Sequence, residues 1–265
     1  MQKIAYILTW RDGEDASRRA NLFAVLEWLA RYPQFEPFLV EQDSVPRLDG
    51  GLPHPACKHV FAYNPGPFNK SWGLNVGFRC CTHAWLAFAD ADIVLGAALT
   101  ATLEHLEKGY WAIKPYRRLI DLDASESARV RGGDFDFVPD RRGAAPNREG
   151  AGERIVFAGG VFLIARAAFA RLGGWDERFR GWGGEDDAFS YRLERARVPA
   201  FELDIRPAVH LAHPRSQETT YAQPHYAANC ALLEGYRQLE DPQLERLSEI
   251  QAQLGRGGCG HVPIV

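Results

Sequence analysis

Lys3-Ile-Ala-Tyr-Ile-Leu-Thr9 is an unbroken apolar run between polar ends, and Leu22, Val25, Leu26 and Leu29 then recur at helical spacing. A continuous apolar strand is one covered on both faces, so this opening reads as a β-then-α unit. The pattern continues downstream. Phe38–Gln42 reads as a second strand, followed by a Pro/Gly-rich connection from Pro46 to Pro67. Phe68–His83 has the mixed polarity of a helix, Ala84–Asp90 (AWLAFAD) is an apolar strand, and a helix is expected around Leu99–Lys108. Strands alternating with helices predict an α/β fold with a mixed, mostly parallel sheet flanked by helices.

From Leu122 to Arg154 the chain is rich in Gly, Pro, Asp and Arg without sustained periodicity, which predicts a long surface excursion before the next strand, a candidate lid. Order resumes in VFAGGVFLIARAAFARLGGW (156–175), a strand closing on a short helix. In DDAFSYRLERA (186–196), Phe189, Leu193 and Ala196 share one helical face. FELDI (201–205) reads as a strand, Tyr226–Leu254 as helical with an interruption near Pro242, and RGGCG (256–260) as a frayed end. With 265 residues, 46% of them hydrophobic, the chain is long enough to bury one full core. The expected organisation is a domain over 1–215, in two halves of about 1–95 and 96–215 to which the resemblance given below assigns the nucleotide and the acceptor, with 216–265 a helical C-terminal extension packed on it.

A net charge of -3 gives no global basic field, which argues against nucleic acid as a partner. Five cysteines, Cys57, Cys80, Cys81, Cys230 and Cys259, form an odd set without CxxC spacing, so they read as free thiols. The first apolar run is short and leads into WRDGEDASRR, so neither a signal peptide nor a membrane anchor is expected; the setting expected is cytoplasmic, with peripheral attachment to a membrane surface as the alternative.

Three clusters carry chemistry. Asp90-Ala-Asp92 ends the strand AWLAFAD, where alternation would put both carboxylates on one side at the carboxyl end of the sheet. Hard oxygens there suit Mn²⁺ or Mg²⁺, which can bridge to a diphosphate; the competing reading is a pair of solvated loop aspartates. Gly181-Trp-Gly-Gly-Glu-Asp-Asp187 combines glycines that let backbone approach a ligand, an indole plane for a sugar, and three carboxylates opening a helix. The helix dipole alone accounts for the acids but not for the Trp-Gly-Gly. His210-Leu-Ala-His213 adds two imidazoles, which favour Mn²⁺ over Mg²⁺ when they join carboxylates.

Taken in order, FNKSWGLNVGF, FADADIVL, FAGGVFLIARAAFARLGGWDERFRGWGGEDDAFSYRL and HLAHPR resemble the β-1,4-galactosyltransferase family and related bacterial GT-A enzymes, over roughly Pro67 to Arg215. The resemblance implies the GT-A fold and transfer of a sugar, galactose or N-acetylgalactosamine favoured, from a UDP-sugar to a glycan hydroxyl with inversion. It also implies a Mn²⁺ site, with Mg²⁺ as the alternative, built from Asp92 and His213, with Asp90 as the motif partner and His210 standing where animal members have methionine. Asp186 becomes the catalytic base and Glu185, with Trp182, orients the sugars. Donor contacts implied are Arg11, Asn69, Lys70, Asp90, Phe157, Gly160, Trp182 and Gly184. Lys70 replaces the arginine of the family's Phe-Asn-Arg motif, keeping its charge and losing its fork. Phe157 replaces a tyrosine that touches the donor sugar.

Three rivals stand beside this expectation. The first is a retaining GT-A enzyme resembling the polypeptide N-acetylgalactosaminyltransferases, which share Trp-Gly-Gly-Glu; there glutamate is followed by asparagine and the metal motif is Asp-x-His, whereas this chain has Glu185-Asp186 and Asp90-Ala-Asp92. The others are a sugar-nucleotide-binding module without turnover and a nucleotidyltransferase, the last lacking a Gly-rich phosphate loop near its start.

Overall fold

The computed structural model describes residues 3–13, 15–48, 51–140, 156–214 and 223–254. In chain order, β1 (Ile4–Trp10), α1 (Ser17–Leu29), β2 (Phe35–Asp43), β3 (Lys58–Tyr63), α2 (Lys70–Arg79) and β4 (Trp85–Ala89) form the first half. β5 (Ile93–Val94), α3 (Ala98–Leu103), β6 (Ala112–Lys114), β7 (Leu119–Asp121) and α4 (Ala124–Arg131) follow. The remainder is β8 (Val161–Ala165), α5 (Arg166–Arg171), α6 (Glu185–Arg195), β9 (Ala200–Glu202), β10 (Ala208–His210), α7 (Tyr226–Gln238) and α8 (Asp241–Leu254).

A seven-stranded sheet runs β3-β2-β1-β4-β8-β6-β9, with β8 antiparallel to β4 and β6 and the other pairings parallel. β1 is buried along its whole length, and alternate residues feed opposite cores. Tyr6 and Leu8 pack with Leu22, Val25, Leu26 and Trp28 of α1. Ile7 packs with Leu74, Phe88 and Phe162 on the other face. There Phe88, Phe162, Phe169, Trp175 and Phe189 form an aromatic cluster with ring centroids 4.5–5.9 Å apart. β8 and the turn after it thereby fix the approach to α6. A second sheet, β5-β10-β7, lies over the carboxyl end of β4 through β5, which follows β4 by a tight turn.

Several expectations need correction. The connection from Pro46 to Pro67 contains β3, an edge strand whose KHVFAY buries only Val60 and Ala62, too sparse a pattern to read as a strand. The excursion from Leu122 contains α4, closed by a capping box in which Asp123 accepts from the Glu126 amide at 2.8 Å and Glu126 accepts from that of Asp123 at 2.9 Å. Val130 and Phe135 enter the core beside α1; residues 141–154, the second part of the candidate lid, lie outside the described residues, as do RGGCG and Cys259. The break expected near Pro242 is present, at Leu239–Glu240, and Pro242 sits in the first turn of α8, where its missing N–H costs nothing.

α7 and α8 pack against α5 and α6 around Phe179, Ala188, Tyr236 and Leu244. Buried Arg192 joins them, donating to Gln251 at 2.7 Å and to the Leu172 and Gly174 carbonyls at 2.8 and 2.7 Å. Among the described residues no helix is long and apolar enough to cross a membrane.

Candidate active site

Asp90 and Asp92 do not lie on a strand. β4 ends at Ala89, and the turn joining it to β5 sends the two carboxylates apart, because a turn does not keep the period-two alternation. Asp92 meets the histidines: its Oδ2 is 3.2 Å from His213 Nε2 and its Oδ1 3.5 Å from His210 Nε2. His210 ends β10, an element between FELDI and the histidines that the sequence pattern did not reveal, and antiparallel pairing with β5 sets it opposite Ile93. One ligand atom from each of Asp92, His210 and His213 lies within 4.8 Å of the others. A carboxylate and two imidazoles at that separation fit a divalent transition ion such as Mn²⁺, and Mg²⁺ less well for want of further oxygens. Burial alone would raise the Asp92 carboxyl; His210 and then His213 hold it far below the usual range.

Asp90 turns instead to Lys70, in the first turn of α2, whose Nζ lies 2.8 Å from Asp90 Oδ1. The same ammonium is 3.0 and 3.1 Å from the two oxygens of Asp186 and 3.8 Å from Glu185. One cation thus serves three carboxylates in a largely buried site. Burial pushes the Asp186 carboxyl up to about 8; Lys70 opposes this, and Glu185 and Asp90 add to it. Glu185 is also raised by burial, against the pull of Lys70, and Asp187 by burial against Arg237. Burial would lower the Lys70 ammonium, but Asp186, Asp90 and Glu185 together hold it well above its ordinary value. The two directions agree physically: the lysine is surrounded by surplus negative charge, while each carboxylate has only a share of one counter-ion.

Gly184, with φ of 93°, opens α6; a Cβ there would come within 2.8 Å of the Phe179 ring, so a side chain is excluded on two counts. This turn delivers Glu185 and Asp186 to Lys70. Ser190, one turn along α6, accepts from the Ala158 amide at 2.9 Å and donates to the Asp186 carbonyl at 2.7 Å, tying the helix to the Phe157–Gly160 turn. Gly160, φ 78°, accepts from the Asp90 amide at 3.1 Å, and a Cβ on it would strike the Tyr116 hydroxyl at 2.1 Å. Phe157 is half-buried against Phe162. Trp182 stacks on Tyr226, centroids 5.8 Å apart and planes 16° from parallel, so Tyr226 takes one face of the indole.

Two implied donor contacts have structural employment. Arg11 donates to the carbonyls of Gln42, Gly66 and Asn64 at 2.7, 2.8 and 2.9 Å, pinning the 64–66 turn over the ends of β1 and β2. Asn69 caps α2 by accepting from the Trp72 amide at 2.8 Å and donates to the Glu177 carbonyl at 2.8 Å. Through the backbone bridge of Asn69 with Gly181, these contacts align Lys70 with the start of α6.

Sequence reading missed Lys114, Tyr116 and Asp121. Lys114 is buried, its ammonium brought down to about 8 by burial, and donates to the carbonyls of Val156, Phe157 and Gly159 at 2.6, 3.2 and 3.0 Å. The Tyr116 hydroxyl donates to the Gly159 carbonyl and accepts from the Val161 amide, both at 3.0 Å. A lysine closing an apolar run, Trp-Ala-Ile-Lys, was the available signal for the first.

Comparison with known proteins bears on the fold and on one segment of the chain. Residues 152–214 match the family described as the N-terminal domain of galactosyltransferase. Over 74 residues the chain is 32% identical to polypeptide N-acetylgalactosaminyltransferase 4 of Mus musculus, a match spanning 28% of this chain and 12% of that protein's length. Two solved structures share the fold. A mutant Drosophila β1,4-galactosyltransferase 7, in complex with manganese, UDP-Gal and xylobiose, aligns at 17% identity over 82% of this chain and 72% of that one, with a TM-score of 0.50. S. aureus TarS 1-349 with UDP-GlcNAc aligns at 13% identity over 91% and 69%, with a TM-score of 0.57. The chain has the GT-A glycosyltransferase fold, and its segment 152–214 is similar to the galactosyltransferase family.

Proposed function

We propose that this chain is an inverting, metal-dependent glycosyltransferase that moves galactose or N-acetylgalactosamine from a UDP-sugar to a glycan hydroxyl. The observation that carries the reading is the continuity of the site: the Asp92–His210–His213 triad adjoins, through Asp90 and Lys70, the buried carboxyl of Asp186. The Drosophila neighbour, solved with manganese, UDP-Gal and xylobiose, supports the same pairing of donor and acceptor here.

Asp92, His210 and His213 would hold Mn²⁺, which when bound neutralises charge on the leaving diphosphate. Lys70 supplies a second positive charge beside Asp90, on the donor side. Asp186 takes the acceptor proton as the new carbon–oxygen bond forms and the bond from the anomeric carbon to the diphosphate breaks, releasing UDP. A base whose carboxyl titrates near the working pH serves that transfer well. Glu185 and Trp182 orient the sugars, and the Gly160 turn, held by Lys114 and Tyr116, presents backbone to the donor.

Retention is the second reading, favoured by the match to a polypeptide N-acetylgalactosaminyltransferase. Asp186, where those enzymes typically have asparagine, and Asp92, in place of their motif histidine, favour inversion. The anomeric proton coupling of the product separates the two: a large coupling, marking a β-linkage from an α-linked donor, is expected, and an α-product would return retention to first place.

A further inference from the structure

β7 and β10 run parallel with His210 in register with Asp121, and the pairing continues where the Leu122 amide donates to the His210 carbonyl at 2.9 Å. Cross-strand neighbours on one face sit close enough for their side chains to interact. Here Asp121 Oδ1 lies 2.8 Å from His210 Nδ1, while Nε2, on the far side of the same ring, faces Asp92 at 3.5 Å. The Asp121 side chain is 46% exposed and the histidine 16%, so the carboxylate reaches in from the rim of the site.

We infer that Asp121 is a positioning residue for the metal site: it accepts a hydrogen bond from His210 Nδ1–H and so presents the Nε2 lone pair to the ion. This rests on the metal reading above. An imidazole has two nitrogens, and a free ring in the wrong tautomer, or rotated about its side-chain bonds, offers no ligand; a carboxylate on one nitrogen fixes both choices and makes the other nitrogen more basic. His213 has a different outer partner, the carbonyl of Pro214 at 2.9 Å from its Nδ1. A neutral carbonyl orients a ring without adding charge. The two histidines therefore differ in their support, and His210 depends on a residue 89 positions earlier in the chain. Asp121 should contribute nothing when the residue at 210 has no ring nitrogen, which separates positioning from a merely structural ion pair between two strands.

The experiment is Mn²⁺ titration of the metal-stripped full chain, followed by the electron paramagnetic resonance signal of free Mn²⁺, without donor or acceptor. The proteins are wild type, Asp121→Ala, Asp121→Asn, His210→Met and the double variant Asp121→Ala with His210→Met, each checked for folding by circular dichroism. Asp121→Ala should weaken Mn²⁺ binding by about 10- to 100-fold, and Asp121→Asn, which keeps an acceptor oxygen without its charge, by less. In the His210→Met background, Asp121→Ala should change affinity by less than about twofold, since no imidazole remains to be oriented. Wild-type affinity in Asp121→Ala, or an equal loss in both backgrounds, overturns the inference while leaving the metal site standing. Absence of Mn²⁺ binding by the wild type overturns the metal reading itself.

Discussion

Asp186→Asn should abolish most turnover and, at the same time, stabilise the metal-free protein at alkaline pH. As a base, Asp186 is worth about 10²- to 10⁴-fold in rate, and asparagine keeps its shape without its proton affinity. For stability, burial has moved its carboxyl from 3.8 to about 8. A group whose folded value is raised contributes stability below its unfolded value and loses it as the pH climbs through the folded one. The ionised site is therefore a cost that grows between pH 4 and 8. Four units at about 1.4 kcal/mol each bound it near 6 kcal/mol. The Lys70 ammonium, 3.0 Å away, offsets part of this while Asp186 is present, and after substitution it keeps Asp90 at 2.8 Å and Glu185 at 3.8 Å as partners. No orphaned cation results, so the expected gain at pH 8.5 is about 1–3 kcal/mol, a fraction of that bound. That corresponds to a rise in Tm of about 2–10 °C for a chain of this size. Thermal melts in EDTA at pH 4, 6 and 8.5, set beside UDP release in Mn²⁺, measure both effects. A variant less stable than wild type at pH 8.5, or one with near-normal turnover, refutes the reasoning.

Lys70→Met removes the cation that Asp90, Glu185 and Asp186 share and should cost about 3–5 kcal/mol near pH 8, with most of the loss recovered at pH 4 as Glu185 and Asp186, both raised by burial, protonate; a pH-independent loss in thermal melts contradicts this. Gly160→Ala combines a left-handed backbone with a contact 2.1 Å from the Tyr116 hydroxyl, so UDP binding and stability should both fall, and Tyr116→Phe in that background should restore part of the stability in urea melts. Phe157→Tyr should alter the ratio of galactose to N-acetylgalactosamine transfer by up to about tenfold, one hydrogen bond's worth; an unchanged ratio would show that position 157 does not read the donor.

The central strands were readable because β1 and β4 are apolar throughout, a pattern that only a sheet covered on both faces sustains. β3 and α4 were not, since each buries two residues or so and leaves the rest to solvent. Asp123-x-x-Glu126 was nonetheless a legible helix start. In the site, motif order implied that Asp92, His210 and His213 should meet, and the fold brings them together. What spacing could not convey was the parting of Asp90 from Asp92 in a turn, or the sharing of Lys70 between Asp90 and Asp186, contacts made across 20 and 116 residues of chain. Lys114, Tyr116 and Asp121 stayed hidden for the same reason: each acts on a partner that only the sheet register supplies.

Metal-dependent transfer from a UDP-sugar is tested most directly by UDP release by the metal-stripped chain from UDP-galactose and UDP-N-acetylgalactosamine, with a panel of simple β-glycosides as acceptors. Release that requires both an acceptor and added Mn²⁺, and that disappears in excess EDTA, is the predicted result. Undiminished release in excess chelator, or none with either donor at saturating Mn²⁺, would contradict it.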